Sequence, residues 1–511
     1  MTKGRVIVLG LDGATFDLIS PWVEQGKLPT FKKLMDEGAL SPLESVIPPN
    51  TLPAWPCFLS GKNPGKLGIF DFKKKRLKGL TASTDIKSET IYDILSKHKR
   101  KSIIVNVTGT YPPTKINGFM VSKFGGNIKT HPPELAGEIR KKIGWDVEKY
   151  GSVQPMETLI ANDECVKNIA FYLMDKQQDN TLTMLVLDTP DYSHHFYWSD
   201  QDKVYRGYEA MDGFVFEFLE LLKPEDHLFI MSDHGGGHIY KIFHTYTWLM
   251  REGYLQFKKS SSDKTILGKL GISQEKIYSF IKKIPFAVFL AKKIRKSPSL
   301  NVIPRSDREI DFSKTRVYSS LSSGPVIGLD INLMEREGGI VPESMYEDLR
   351  AELIEKAKKI RDPDTGEPVF ERIYLKEELY SGKYTANAPD VILITNELKY
   401  QAIKGVYGDF IISEPGVREG KGIHRLYGIF MAYGPQIKKG FSFDNAKLID
   451  LAPTILHLLD MPLSPDMDGK VLKQIFRENS DAAARKIKYS SVDIKDKLRD
   501  SINKLKAEGK I

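Results

Sequence analysis

The chain has 511 residues, with 75 Lys and Arg against 66 Asp and Glu, a net charge of +9 and a pI near 9.0. At 41% hydrophobic and 28% charged it has the composition of a globular protein. That excludes an intrinsically disordered chain, a collagen-like repeat and a disulfide-dense scaffold. The charge is local: residues 258–296 hold eleven Lys and Arg against Asp263 and Glu275, a sum of +9, and the rest of the chain is near neutral. A protein that coats nucleic acid spreads its basic residues over a broad face, so no nucleic-acid partner is expected. Cys57 and Cys165 are too few for a disulfide framework, and no apolar run has the length of a membrane span or signal peptide. A cytoplasmic protein is expected.

In chain order, short β-branched runs predict buried parallel strands at residues 6–9, 103–107, 184–187, 228–231, 391–394 and 429–432. A helix over 30–37 ends at Gly38, a C-cap signal. Apolar residues at helical spacing predict further helices over 166–176, 204–222, 344–360 and 448–459. This alternation predicts an α/β fold whose core sheet has helices on both faces. Residues 1–240 plus 385–475 read as the core, 241–384 as an inserted cap or lid, and 476–511 as a solvated helical tail.

Inside the cap, Ser273 is placed to cap a helix reaching Ile284, and Pro285 to open a second one. Two readings of this basic segment stand. It packs an apolar face on the core with its lysines solvated, or it is a lid that touches anionic lipid or funnels a polyanionic substrate.

Polar clusters follow the predicted strands, where open α/β sheets place their ligands. They are Leu9-Gly10-Leu11-Asp12-Gly13, Pro48-Pro49-Asn50-Thr51-Leu52-Pro53-Ala54-Trp55, Asp188-Thr189-Pro190-Asp191-Tyr192-Ser193-His194-His195, Met231-Ser232-Asp233-His234-Gly235-Gly236-Gly237 and Gly422-Ile423-His424-Arg425. Singly each has an ordinary reading: Asp12 or Thr51 as a helix cap, His194 and His195 as part of an aromatic cluster, Asp233-His234 as a turn. Together, three carboxylates and three histidines form the mixed N/O set that Zn²⁺ and Mn²⁺ accept. The spacing of Asp191 and His195 puts both on one helical face. Adjacent Asp233 and His234 in an extended segment would point to opposite sides and serve two metals. Two metals about 4 Å apart would clamp an in-line phosphoryl displacement. A threonine opening a helix suits the nucleophile, because the helix end welcomes a phosphate.

In this order the motifs resemble the alkaline phosphatase superfamily, and within it the type I phosphodiesterase/nucleotide pyrophosphatase branch with its prokaryotic phosphohydrolase or phosphomutase relatives. Gly61-Lys62-Asn63-Pro64-Gly65 and Gly68-Ile69-Phe70-Asp71-Phe72 are similar to the prokaryotic subgroup. The resemblance implies an alkaline-phosphatase-like core and two divalent metal ions, zinc or manganese. Asp12, Thr51, Asp233 and His234 would hold one, and Asp191, His195 and His424 the other. Thr51 would be the nucleophile that becomes phosphorylated, and the substrate a phosphorylated small molecule or lipid-like ester. A phosphomutase on the same site, or a membrane-surface or polyanion-binding protein with a degenerate site, are the alternatives. The family's phosphate-binding Asn has no counterpart in Ile69-Phe70-Asp71, which leaves Asn50, Asn63 and Lys73 as substitutes.

Overall fold

The computed structural model describes residues 4–71, 81–144, 154–258, 309–321, 324–404, 411–413 and 422–490. Most of the basic segment 258–296, with its two predicted helices, lies outside them, as do Lys73 and residues 491–511. The chain divides into two compact units. One comprises residues 1–238, 379–388 and 418–511, the other 239–378 and 389–417.

The first unit is built on a ten-stranded sheet. Its strands include β1 (Val6–Leu11), β2 (Ala39–Glu44), β3 (Ser102–Val105), β4 (Gly118–Phe124), β5 (Asn127–His131), β6 (Leu182–Leu187) and β7 (His227–Met231). The order from one edge is Phe441–Ser442, β2, Tyr427–Tyr433, β7, β1, β6, β3, β4, β5. From β7 to β4 neighbouring strands are parallel. β1, β3, β6 and β7 are buried at every position, which is why they read as unbroken apolar runs rather than alternating ones. A two-stranded ladder outside this sheet pairs β8 (Gly235–His238) antiparallel with Gly422–Arg425.

The helices of this unit include α1 (Phe16–Glu24), α2 (Pro29–Glu37), α3 (Thr51–Ser60), α4 (Pro64–Leu67), α5 (Ile91–Lys97), α6 (Leu135–Ile143), α7 (Met156–Lys176), α8 (Thr189–Tyr197), α9 (Gln201–Glu220) and Leu451–Leu458. They cover both faces. Val6 and Val8 of β1 join a core with Trp55, Ile91 and Leu456, while Ile7 and Leu9 join another with Phe31, Val166 and Phe218. Period-two alternation of one strand thus feeds two layers.

Several expectations need correction. Tyr427–Tyr433 runs antiparallel to both β7 and β2. Val391–Thr395 belongs to the second unit, between antiparallel partners Val326–Ile331 and Phe370–Leu375. A fully buried strand has the same composition in either direction and in either sheet. Gly38 does end α2, but in extended geometry (φ −120°); a Cβ there would lie 2.5 Å from the Ala432 carbonyl oxygen. Close backbone approach explains this glycine. Residues 476–490 are not a solvated tail, since Phe476 and Ala482 are buried in the core beside Leu456.

In the second unit the four-stranded antiparallel sheet packs with the helix Tyr346–Lys358. Asp390, fully buried, is held by Arg336, Lys376 and the Tyr346 hydroxyl. Among the described residues no helix is long and apolar enough to cross a membrane.

At the start of β7, His227 is 3% exposed and neither ring nitrogen has a hydrogen-bond partner. Burial lowers its pKa from 6.5 to about 4. The unfolded chain therefore takes a proton below pH 6.5 that the native state refuses. Stability is full above that pH and falls as pH drops toward 4. His227→Leu should lose about 2 kcal/mol less unfolding free energy than wild type between pH 7.5 and 5.0 in urea titrations. Equal losses would show that His227 is not part of the acid sensitivity.

Candidate metal and phosphoryl-transfer site

The seven residues singled out by their motifs all lie in the first unit, at strand ends or on the segments that follow them. Asp12 leaves β1 with its amide on the Leu187 carbonyl at the end of β6. Its Oδ2 accepts the Trp55 indole N–H at 3.3 Å. That ring fits because residue 10 is glycine; a Cβ there would lie 2.3 Å from the indole. Asp233 and His234 follow β7, and His424 comes from the strand facing β8.

Thr51 is the first residue of α3, behind the cap residue Asn50, and its Oγ1 lies 3.3 Å from His234 Nε2. Pro53 and Pro56 lie in this helix, and Gly61 closes it in the left-handed region (φ 65°).

Asp191 and His195 lie one turn apart on α8. Asp191 Oδ1 is 3.3 Å from His195 Nε2 and 3.5 Å from His424 Nε2. His234 Nε2 is 3.6 Å from Asp12 Oδ1 and 3.5 Å from Asp233 Oδ2. Asp233 and His234 therefore converge rather than point apart, because the backbone bends after β7 instead of continuing as a strand. Two groups of side chains bring their ligand atoms within 4.8 Å of one another: Asp12, Asp233 and His234, and Asp191, His234 and His424. His234 is common to both.

The hydrogen bonds around the three imidazoles orient them alike. Nδ1 donates to a main-chain carbonyl in each: Gly422 for His195 (3.2 Å), Gly235 for His234 (3.0 Å) and Pro49 for His424 (2.9 Å). A carbonyl can only accept, so each neutral ring keeps its lone pair on Nε2, and those nitrogens point at the carboxylates and at each other. His195 and His424 bring Nε2 to Nε2 at 3.1 Å. Metal-binding histidines are fixed in this way.

The electrostatics point the same way. Burial, then the charges of Asp233, Asp191 and Asp188, push the Asp12 carboxyl well above the usual carboxylate range. Burial and Asp191 push Asp233 up to about 8. Asp191 goes the other way: burial opposes its charge, but His195 and His424 hold it well below the ordinary value. Burial keeps His234 neutral. Asp12 Oδ1 and Asp233 Oδ2 are buried without a hydrogen-bond partner. Orphaned carboxylate oxygens facing bare imidazole nitrogens fit a divalent cation.

Other residues take supporting positions. His194 is buried on Tyr208, Nε2 to hydroxyl 3.0 Å, and burial lowers its pKa to about 3. Asn50 Oδ1 lies 3.3 Å from His424 Nδ1, whereas Asn63 caps α4 and donates to Ser381 and Asp468. The cavity at Thr51, about 360 Å³, is instead lined by Asn106, Asp188 and Lys123, none of which the motifs marked as a site residue. Asn106 follows β3 in the left-handed region (φ 58°), a position that asparagine tolerates and the only sequence signal it offers.

The sequence matches the family described as type I phosphodiesterase / nucleotide pyrophosphatase over residues 6–409. The chain belongs to that family. No curated protein sequence matches it. Solved structures similar in fold include human ectonucleotide pyrophosphatase/phosphodiesterase 5, with 15% identity, a TM-score of 0.54, and coverage of 93% of this chain and all of that one. The murine protein is similar at 14% identity and TM-score 0.52, and its inactive threonine-to-alanine form in complex with AMP at 13% and 0.53; both matches cover 93% of this chain and all of theirs.

Asp163, buried in α7, accepts the amides of Asp188 (3.0 Å) and Thr189 (2.8 Å) and so caps α8 from outside. The cap residue Asp188 makes no side-chain cap bond of its own. Asp163→Ala should lower the unfolding free energy by about 2 kcal/mol in urea titrations. Unchanged stability would mean that α8 is anchored elsewhere.

Proposed function

We propose that the chain is a phosphoric ester hydrolase, cleaving a phosphodiester or phosphomonoester through a phosphothreonine at Thr51. The reading rests on the Thr51 hydroxyl, which opens a helix against His234 and beside two buried carboxylates, each with one oxygen that lacks a partner among the described residues. In this reading Asp12, Thr51, Asp233 and His234 hold one divalent cation, and Asp191, His195 and His424 the other, as zinc or manganese. Such cations, when bound, supply Lewis acidity to a hydroxyl or water and balance phosphate charge.

Thr51 Oγ1 gives up its proton to solvent and forms a bond to phosphorus as the ester bond breaks, and the alcohol leaves with a proton from solvent. Water then attacks the phosphothreonine, frees the phosphate product and restores the hydroxyl. The amides of Thr51 and Leu52 precede the first intrahelical bond of α3, from Ala54 to the Asn50 carbonyl, so they remain for phosphate oxygens. The three Nδ1–carbonyl bonds hold the imidazoles still throughout.

The AMP complex of the murine relative makes nucleoside phosphates the first substrates to test. A phosphomutase would use the same Thr51 and return the phosphate to an acceptor hydroxyl; added acceptor alcohols that capture the phosphate in place of water would favour it. The unpaired cysteines support action in the cytoplasm. Contact of residues 258–296 with an anionic membrane belongs to the same proposal.

Thr51→Ala should abolish release of nitrophenol from chromogenic mono- and diesters while leaving bound metal near the wild-type amount. Full activity in that variant would remove Thr51 as nucleophile. Asp233→Asn and His424→Ala should lower both rate and metal content, and unaltered metal stoichiometry in both would contradict the ligand assignment.

A further inference from the structure

The cavity at Thr51 has a second chemistry on its wall. Asp12, Thr51, Asp191, His195 and His424 line it together with Asn106, Asp188 and Lys123. Lys123 is the only Lys or Arg among the described lining residues. It lies near the end of β4, and its Nζ reaches Asp188 Oδ2 at 3.0 Å. The pair is mostly withdrawn from water, with side chains 10% and 18% exposed.

Asp188 does not depend on Lys123 alone. Asn106 Nδ2 approaches the same oxygen at 3.3 Å and is itself fixed by the Val186 carbonyl at 2.8 Å. The Asp188 main chain is held by Asp163. A carboxylate kept in place by other donors can share its lysine. The ammonium has three rotatable donors on a flexible stem, so it can turn toward an incoming anion without leaving a buried charge unpaired. A lysine in a partly desolvated cavity attracts that anion more strongly than one in open water.

We infer that Lys123, poised on Asp188, is the recognition group for a second anionic group on the substrate, apart from the phosphoryl group that reacts at Thr51. This rests on the phosphoric ester reading above and narrows it to small organic phosphates that carry a further phosphoryl or phosphonyl group. Phosphoryl recognition by Lys123 is non-covalent, and the bond exchanged stays at Thr51. The cavity has the size of a small-molecule site, with room beyond the reacting group.

Two chromogenic diesters test this, 4-nitrophenyl ethyl phosphate and 4-nitrophenyl 2-phosphonoethyl phosphate, which differ only by the added phosphonate group. Wild type should favour the phosphonate-bearing ester about tenfold or more in kcat/KM, chiefly through KM, as a charge-assisted contact provides. Lys123→Gln should bring that ratio close to one, and Lys123→Arg should restore most of it. Absence of a preference in wild type, or a Lys123→Gln variant that slows both esters while keeping the ratio, would overturn the assignment.

A binding measurement separates this from the activity itself. Methylenediphosphonate, titrated calorimetrically into the metal-loaded proteins, should bind Lys123→Gln about tenfold more weakly than wild type. If wild type cleaves neither ester, the phosphodiesterase reading fails, and the titration still decides the role of Lys123: equal affinities would overturn it.

Discussion

Two carboxylates, Asp12 and Asp233, leave neighbouring parallel strands and bury oxygens that nothing in the described chain hydrogen-bonds. Such groups are costly to bury: burial raises both pKa values, and so does the charge of Asp191, with that of Asp233 adding to the shift of Asp12. Donors reach only the other oxygen of each, the Trp55 indole on Asp12 Oδ2 and the Gly13 amide on Asp233 Oδ1. The fold surrounds the carboxylates with imidazoles whose only protons are committed to main-chain carbonyls, so their lone pairs turn inward. Unpaired acceptor atoms gathered in this way suit a cation.

Topology creates that cluster. β1, β6 and β7 are parallel neighbours, so their C-terminal ends deliver Asp12, the approach to α8, and Asp233 to one edge of the sheet. The antiparallel pairing of β8 with Gly422–Arg425 then brings His424 from far along the chain to stack on His234, with ring centroids 3.8 Å apart. Trp55 ties α3, and with it Thr51, to the β1 end through Asp12. Thr51 and the Asp/His cluster are held by the same few contacts, so disturbing the core beneath Gly10 would misplace both.

Much of this was legible in the chain because the chemistry follows short apolar runs. Asp12 and Asp233 come directly after strands, and the i, i+4 spacing of Asp191 and His195 survives as a helical pair 3.3 Å apart. Strand direction was not legible: Tyr427–Tyr433 and Val391–Thr395 are buried runs whose antiparallel pairing depends on distant partners. Lys123, Asn106 and Asp163 were missed for a related reason. Each is unremarkable in its own segment and gains meaning only when β3, β4 and α7 converge on Asp188. The bend that unites Asp233 with His234 likewise has no signature beyond the glycines that follow.

Calorimetric titration of Zn²⁺ into the metal-stripped chain at pH 7.5, repeated in buffers of different ionisation enthalpy, tests the central claim most directly. With Asp12 and Asp233 holding protons until a cation displaces them, the account predicts two equivalents bound with net proton release. Failure to bind zinc, or binding at these residues without proton release, would contradict it.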